Sequence, residues 1–368
     1  VGDARCPNII EKDPSISEEI VIKGLRVKNS SYLIVRNLTF EGNVEDSGDV
    51  PIVKLWADYL PDSRLDKVSF YNNTVRFEGE GVRECPFSPE SPERENAGIY
   101  LSKGENIVLK NNKIKSCFKT AILVRGTKKS EVKDNHLSGL FQRGIWLRNT
   151  IRGEAGDNPP MSFPCDEVKV SHNQIEAVKG QFGGSTCLEA GLGIGERAPE
   201  ETRNYFYSND VAMADGYYIS SCRNCEERRI NGPNGILFIN TGDQKIEVKN
   251  NIFFKNKWGI NEAGTVNIEN INHCYNTFYN SERVYGGGFS TGLGEITDDP
   301  QYRRIGGSGR GFDFHLQNTS PAIDSGDPTA NCIYESYPNG CRINMGSYGN
   351  TSEATPRPRA RHCRSCPR

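Results

Sequence analysis

Apolar and polar residues alternate in several short segments of this chain, which is the pattern of half-buried β-strands. Three such segments occupy residues 97–101, 120–124 and 143–147. Alternation predicts one inward apolar face, made of Ile99 and Leu101, Ile122 and Val124, and Ile145 and Leu147. The opposite face is expected to point outward and carries Tyr100, Leu123 with Arg125, and Trp146 with Arg148.

The three segments recur at a fixed interval of 23 residues, measured between Gly98, Ala121 and Gly144. Asn112 and Asn135 keep the same interval, each nine residues ahead of its small residue. A period in the low twenties, with strands rather than helices, is typical of a β-solenoid, in which each coil stacks on its neighbours. The sequence therefore predicts an all-β chain built of coils of about 23 residues.

Asparagine ends the strand-like segment in coil after coil, at 68–73, 107–112, 131–135, 168–173 and 246–251. This residue tolerates left-handed backbone, and its amide can bond neighbouring backbone groups. Side chains stacked at one corner of successive coils would form a hydrogen-bonded ladder with a structural role. We expect at least eight coils, with Asn112 and Asn135 on one corner line.

The period divides the chain into an N-terminal lead (1–18), coils with inserted loops (19–311), a C-terminal capping segment (312–354) and a tail rich in Pro, Arg and Cys (355–368). Four stretches exceed the coil length, at 44–66, 77–96, 149–164 and 191–204. The last three are expected to wall a groove beside the outward row. The capping segment is expected to cover the open end, where a solenoid exposes apolar core and strand edges.

Composition narrows the setting of the protein. Its 368 residues are 35% hydrophobic and carry a net charge of -2, and this charge suggests neither a nucleic-acid partner nor a membrane partner. No apolar run approaches the roughly 18 residues of a membrane span. Twelve cysteines favour disulfides in an oxidising compartment. Five Asn-X-Ser/Thr sequons add weak support for secretion. The chain starts at Val1 instead of Met, which indicates processing or truncation upstream.

The asparagine-ended coils resemble the right-handed parallel β-helix proteins of the pectate-lyase-like superfamily. More specific likenesses lie near the C-terminus, in DDP (298–300), DFHL (313–316), SPAIDSGDP (320–328) and PNGCRINMGSYGN (338–350). These resemble the terminal segment of a group of secreted or surface β-helix proteins in bacteria and archaea. The resemblance implies a right-handed parallel β-helix with a C-terminal cap. It leaves function open, because that group mixes lyases, hydrolases, adhesins and surface-layer components.

The outward row is the first candidate site. Tyr100 and Trp146 offer flat faces for a sugar ring, and Glu189 is a third candidate for substrate binding. If the protein is an enzyme, Arg148 and Arg125 are the catalytic candidates, as carboxylate-binding or proton-abstracting groups of a polysaccharide lyase. The alternative is that the arginines are solvated charges and the aromatic rings pack under a loop.

Acidic residues form the second candidate: Glu189, Glu196, Glu200, Glu201 and Asp215. Two carboxylates can run glycoside hydrolysis and several can bind Ca²⁺, but the spacing selects no pair. Calcium at Asp298/Asp299 or Asp324/Asp327 competes with simple turn formation, and no cofactor is certain. Signatures of the polygalacturonase-like hydrolases, the alginate epimerases and the chondroitinase B-like lyases are absent from the sequence. Their absence weakens the enzyme hypothesis.

Cysteines form the third candidate. Cys222/Cys225 and Cys363/Cys366 together have the half-site spacing of a four-thiolate zinc site, but disulfides are the favoured interpretation, so no metal is assigned. Cys332 and Cys341, nine residues apart across a Pro-Asn-Gly turn, are expected to form a local bridge.

Three functions remain open. The first is a structural or matrix protein outside the cell or on its surface, which assembles with copies of itself or contacts polysaccharide. The second is a secreted lyase or hydrolase of an acidic polysaccharide, and the third is a carbohydrate-binding adhesin. No amphipathic helix closes the N-terminal end of the predicted stack, so we expect that end to meet a partner, most simply another copy, head to tail.

Overall fold

The structure is a computed structural model that describes residues 6–42, 51–58, 63, 65–77, 84–85, 97–152, 161–177, 181–182, 190–195, 201–213, 234–306 and 311–357. Within these residues the chain winds through nine coils, and each coil adds one strand to each of three parallel sheets. This arrangement confirms the predicted parallel β-helix.

Sheet A has nine strands: β1 (Asn8–Glu11), β4 (Ser31–Arg36), β7 (Leu65–Tyr71), β12 (Val108–Lys110), β14 (Glu131–Lys133), β18 (Val168–Ser171), β22 (Arg203–Tyr207), β25 (Lys245–Lys249) and β28 (Ile271–Cys274). Sheet B follows in each coil: β2 (Val21–Ile22), β5 (Thr39–Gly42), β8 (Thr74–Phe77), β13 (Lys113–Arg125), β15 (His136–Arg148), β19 (Gln174–Ala177), β23 (Asp210–Met213), β26 (Ile252–Phe254) and β29 (Thr277–Tyr279).

Sheet C contains β3 (Leu25–Lys28), β6 (Val53–Trp56), β10 (Ala97–Ser102), the second halves of β13 and β15, β21 (Ala190–Gly195), β24 (Asn234–Ile239), β27 (Trp258–Ala263) and β30 (Arg283–Tyr285). The remaining elements are β9 (Glu84–Cys85), β11 (Gly104–Glu105), β16 (Thr150–Arg152), β17 (Met161–Phe163), β20 (Gln181–Phe182), β31 (Tyr302–Arg304), β32 (Asp313–Leu316) and a 3₁₀ turn, Ile268–Asn270. No helix in the described ranges has the length and apolar character needed to cross a membrane.

The predicted inward residues line the core. Ile99, Ile122 and Ile145 are register partners on successive coils, and all three are completely buried. They belong to one continuous apolar cluster that runs from Val27 in the first coil to Phe289 beyond the last. The core therefore grows lengthwise with each added coil, which is how a chain of this length keeps a narrow core.

The predicted ladder of asparagines is confirmed. The backbone N–H of Asn112 donates to Oδ1 of Asn135 over 3.0 Å, so the two lie on one corner of adjacent coils. The same contact links seven buried asparagines in consecutive coils: Asn73, Asn112, Asn135, Asn173, Asn209, Asn251 and Asn276. Each amide also donates to a backbone carbonyl of the preceding coil, for example Asn135 Nδ2 to Leu109 O over 3.0 Å.

The solenoid begins earlier than the aperiodic lead suggests. Asn8–Glu11 forms β1, which pairs in parallel with β4 and places Ile10 opposite Val35. The segment 1–18 therefore contributes a strand to the first coil instead of standing wholly outside the stack. No periodic signal marks this strand, because only one short apolar pair, Ile9 and Ile10, identifies it.

The C-terminal segment lies along the flank of the solenoid instead of over its open end. Its apolar residues, including Phe312 and Met345, pack against the outward side of sheet B at Ala212, Ile252 and Phe254. The end of the core is covered instead by Phe289, which contacts the rings of Phe238 at 5.7 Å and His273 at 5.5 Å. The segment that was expected to cap the end therefore packs against the side of the stack. The glycine-rich stretch before it closes the end.

Candidate functional site

The predicted outward row lies on sheet C, where neighbouring coils hold Tyr100, Leu123 and Trp146 as register partners. Alternation therefore assigned their direction correctly. Their exposure differs from expectation: Tyr100 is 4% exposed and Trp146 is 3% exposed. With Ala97 and Leu237 they form a second, smaller apolar cluster outside the main core. This burial favours the alternative that the two rings are packed, and their substrate-binding role stays a prediction.

Trp146 packs across the next coil, where β21 supplies Gly193 and Gly195. A Cβ added to Gly193 would lie 2.2 Å from Cζ3 of Trp146, and one added to Gly195 would lie 2.9 Å from Cζ2. Glycine at these two positions therefore makes room for the indole. The guanidinium of Arg143 also lies 4.2 Å from the centroid of the Trp146 ring, a cation–π contact.

Arg125 and Arg148 are also register partners, at the ends of β13 and β15. Their side chains are half-buried. Parallel strands lie about 4.8 Å apart, so the two arginines start one strand spacing apart. That separation matches the size of one carboxylate-bearing sugar unit. Lys54 extends this basic side of sheet C, with Nζ 5.2 Å from the ring centroids of both Trp56 and Tyr100. Glu189, predicted to bind substrate beside them, lies outside the described residues, as do Glu196, Glu200 and Asp215.

A buried carboxylate anchors the C-terminal segment. Oδ1 of Asp210 accepts a hydrogen bond from Oη of Tyr302 at 2.7 Å, and Oδ2 accepts the backbone N–H of Ser347 at 2.8 Å and its Oγ at 2.6 Å. Burial raises the pKa of Asp210 to about 6 against the opposing effect of these donors. Nearby, Glu176 accepts the backbone N–H of Phe312, and burial raises the pKa of its carboxyl too.

A second buried carboxylate ends the asparagine ladder. Oε1 of Glu295 accepts Nδ1 of His273 at 2.9 Å and Nδ2 of Asn276 at 3.1 Å. Its Oε2 accepts the Tyr285 hydroxyl and the backbone N–H of Gly292. A histidine beside a glutamate is a common acid–base pair, but four donors already occupy this carboxylate. The cluster therefore closes the end of the stack instead of presenting a base to solvent.

The sequence offered no signal for either carboxylate. Asp210 falls in the ordinary strand position after a ladder asparagine, and its partners lie 92 and 137 residues away. Glu295 lies in the stretch where the coil period has already broken down, 19 residues after Asn276. A residue that takes over the ladder contact without being asparagine cannot be recognised from the repeat.

Two of the four aspartates suggested for calcium, Asp299 and Asp327, form turns. Oδ1 of Asp299 accepts the backbone N–H of Gln301 at 2.8 Å, and Oδ1 of Asp327 accepts that of Thr329 at 2.9 Å. In the part of the chain that the structure describes, no group of three or more His, Cys, Asp and Glu side chains is arranged to hold a metal ion. Calcium thus has no described ligand set on which to base a site.

Two of the six cysteines predicted to form disulfides, Cys332 and Cys341, lie within the described residues. Cys222, Cys225, Cys363 and Cys366 lie outside the described residues. Cys332 is buried in the C-terminal segment, and both Cys332 and Cys341 are disulfide-bonded, while their pairing with each other stays a prediction. Cys165 and Cys274 are free, buried thiols, and burial raises the pKa of each to about 11. These two cysteines belong to the core and not to the predicted disulfides.

Comparison with known proteins adds one match. The family described as right handed beta helix region matches residues 8–194, which contain the first five coils and most of the sixth. The match starts at the first residue of β1. No curated protein matches the chain.

Proposed function

Because this chain belongs to the right-handed β-helix family, we propose that it is a non-catalytic structural protein that works outside the cell or on its surface. The observation that carries this proposal is the burial of the row of Tyr100, Leu123 and Trp146. A sugar-processing groove on this fold needs ring faces and charges that reach solvent together. Here the aromatic side chains contribute to packing, so they stabilise the scaffold.

The polar interior supports the same role. Each ladder asparagine from Asn112 to Asn251 uses both its amide oxygen and its amide nitrogen in hydrogen bonds to neighbouring coils. A buried polar network in which every group is hydrogen-bonded makes a fold rigid. Catalytic groups, in contrast, usually keep a hydrogen-bonding position available for substrate. Asp210 and Glu295, two buried carboxylates of the described part, both serve to attach segments to the stack.

The second candidate is an acidic-polysaccharide lyase or binding protein, and the basic side of sheet C favours it. Lys54, Arg125 and Arg148 lie on sheet C in coils two, four and five, with Lys54 in register with Tyr100 instead of with the two arginines. A lyase needs one group to neutralise the uronate carboxylate and another to remove the C5 proton, and two adjacent arginines match that requirement. Contact with polysaccharide without turnover would make the protein an adhesin.

The deciding experiment incubates the purified protein with uronate-containing and sulfated polysaccharides and follows unsaturated uronate and new reducing ends. We expect no turnover. Turnover that falls at least ~10²-fold in Arg148→Ala would establish the lyase instead. Arg283→Ala is the matched control, because Arg283 also lies on sheet C, over Trp258 at 4.9 Å, but four coils away. Binding without turnover, lost in Arg148→Ala only, would identify an adhesin.

A further inference from the structure

Two exposed aromatic residues lie together in one short loop of the C-terminal segment, residues 331–341. Tyr334 is 65% exposed and Tyr337 is 57% exposed, and Ile333 beside them is 55% exposed. Every other tyrosine, tryptophan or phenylalanine whose side chain the structure describes is half-buried or buried. Apolar side chains that cluster on a surface typically mark a place where something binds.

Buried polar contacts hold this loop in place. Oε1 of Glu335 accepts the backbone N–H groups of Asn344 at 2.7 Å and Asn350 at 2.8 Å, so Glu335 is buried between exposed neighbours. Cys332 and Cys341, near the two ends of the loop, are both disulfide-bonded. The two tyrosines are therefore presented by a fixed backbone, which lowers the entropy cost of binding a ligand.

The loop exposes no charge. Glu335 is the one charged residue in 331–341, and it is buried. The stretch 350–357 runs beside the loop and contains one anion and one cation, Glu353 and Arg357. A ligand with many charges of one sign has no counterpart on this surface, so the surface fits an uncharged partner.

Uncharged hydrogen-bonding groups lie among the exposed rings. The Ser336 hydroxyl donates to the carbonyl of Ser352 at 2.8 Å, so its oxygen remains able to accept a bond. Exposed Asn331 accepts the backbone N–H of Ile333 through Oδ1 at 2.9 Å, and its amide nitrogen bonds no group in the part of the chain that the structure describes. Aromatic faces flanked by uncharged donors and acceptors match a sugar ring, which has C–H groups on its face and hydroxyls around its edge.

The size of the surface also favours a small ligand over a protein. A stable protein–protein interface takes about 20–30 residues from each partner. The loop exposes five side chains, which is enough to contact a few sugar units: Asn331, Ile333, Tyr334, Ser336 and Tyr337.

We propose that the loop 331–341 binds an uncharged carbohydrate, with Tyr334 and Tyr337 against the faces of its sugar rings. The site is separate from the row on sheet C, because the C-terminal segment that carries it packs on the outward side of sheet B. The inference does not rest on the proposed function, since a scaffold and an enzyme can both be attached to a glycan through such a loop.

Affinity electrophoresis of the full chain tests the proposal, in native gels that contain glucomannan, galactomannan or hydroxyethylcellulose as neutral polymers and polygalacturonate as the acidic one. We expect at least one neutral polymer to retard the protein. Tyr334→Ala and Tyr337→Ala should each raise its dissociation constant at least ~10-fold. Tyr334→Phe keeps the ring face and should keep most of the affinity. Circular dichroism checks the fold of each variant, and Tyr334→Ala alone carries the test if Tyr337→Ala is misfolded.

Leu293→Ala is the matched control, because Leu293 is 73% exposed and lies outside the loop. Retardation by a neutral polymer that is lost in the alanine variants of the loop and kept in Leu293→Ala and Tyr334→Phe supports the site. Retardation that every variant keeps would overturn it, as would free migration through all three neutral gels. Retardation by polygalacturonate alone would also overturn it, because an uncharged surface does not select an acidic chain.

Discussion

Nδ2 of Asn112 donates to Oδ1 of Asn135 at 2.9 Å, and the backbone N–H of Asn112 donates to the same oxygen at 3.0 Å. One buried amide oxygen thus accepts two bonds from the coil before it. The amide nitrogen of Asn135 in turn donates to Asn173 Oδ1 and Leu109 O. A single side chain therefore connects three consecutive coils at their corner.

Asn135→Ala should lower the free energy of unfolding by about 3–5 kcal/mol. It removes the acceptor of the Asn112 backbone N–H and of one Asn112 amide N–H, and also the side-chain donor to the Leu109 carbonyl, all in a buried corner. Chemical denaturation measures the loss. Asn111→Gly is the control: its exposed amide bonds only Asn72 Oδ1, and glycine tolerates the left-handed backbone at φ 52°. A loss below ~1 kcal/mol in Asn135→Ala would show that the ladder is dispensable.

Trp146→Ala should destabilise the fold by about 3–5 kcal/mol, because it empties a packed site between Leu123 and the β21 glycines. Gly193→Ala should also destabilise, since the added methyl group overlaps the indole and the carbonyl of Leu237. Thermal unfolding monitored by circular dichroism gives both values. Trp56→Ala, on the same sheet but only half-buried, should cost clearly less. Equal melting temperatures for Trp146→Ala and wild type would show that the Trp146 side chain is not packed and that the row forms an open surface.

Attachment of the C-terminal segment should depend on pH through Asp210. Its folded-state pKa, about 6, exceeds the ordinary value of 3.8, so the folded state favours the protonated form. The contribution is therefore complete below pH ~3.8 and is lost as the pH rises through about 6, with an upper limit of about 3 kcal/mol. Limited proteolysis should release the segment faster at pH 8 than at pH 5.

Asp210→Asn isolates that contribution. It should reduce the pH dependence without abolishing it, because burial also raises the pKa of Glu335, to about 7, with the same sign. His172 acts in the opposite direction: burial lowers its pKa, so its contribution is present above pH ~6.5 and is lost as the pH falls. A variant with the same pH profile as wild type would show that Asp210 does not set the docking equilibrium.

Thiol labelling should separate two classes of cysteine. Cys165 and Cys274 are buried thiols of raised pKa, so neither should react in the native protein and both should react after denaturation without reductant. Cys332 and Cys341 should be labelled only after reduction. Peptide mapping by mass spectrometry reads out all four. Eight or more reactive thiols in the denatured, unreduced chain would contradict the proposal that this protein works in an oxidising compartment.

The repeat could be read from the sequence only where no loop interrupts it. Asn112 and Asn135 are separated by 23 residues, but Asn135 and Asn173 are separated by 38, because an insertion lies between them. These asparagines occupy the same corner of adjacent coils, but their unequal separation along the sequence conceals the repeat. The direction of Ile99 against Tyr100 followed from alternation alone, since successive strand residues point to opposite faces.

Burial of the outward row could not be predicted in the same way. Alternation says that Trp146 leaves the core, but it does not say what packs upon it, and two glycines in the next coil make that packing possible. The position of the C-terminal segment also depends on contacts over long separations, such as Tyr302 with Asp210. Neither relationship produces a periodic pattern in the sequence.

The asparagine ladder ends at Leu38, whose backbone N–H donates to Asn73 Oδ1 from the corner of the second coil, and at Glu295. These two residues also fix where the molecule can change in length over evolution. A coil added outside either one would meet an aliphatic side chain or a saturated carboxylate and would find no amide to continue the corner. A tandem copy of the 23 residues from 113 to 135, inserted in the middle, would meet an asparagine on both sides. Lineages of this protein should therefore gain or lose coils internally, by about 4.8 Å of rod at a time, while both ends stay constant.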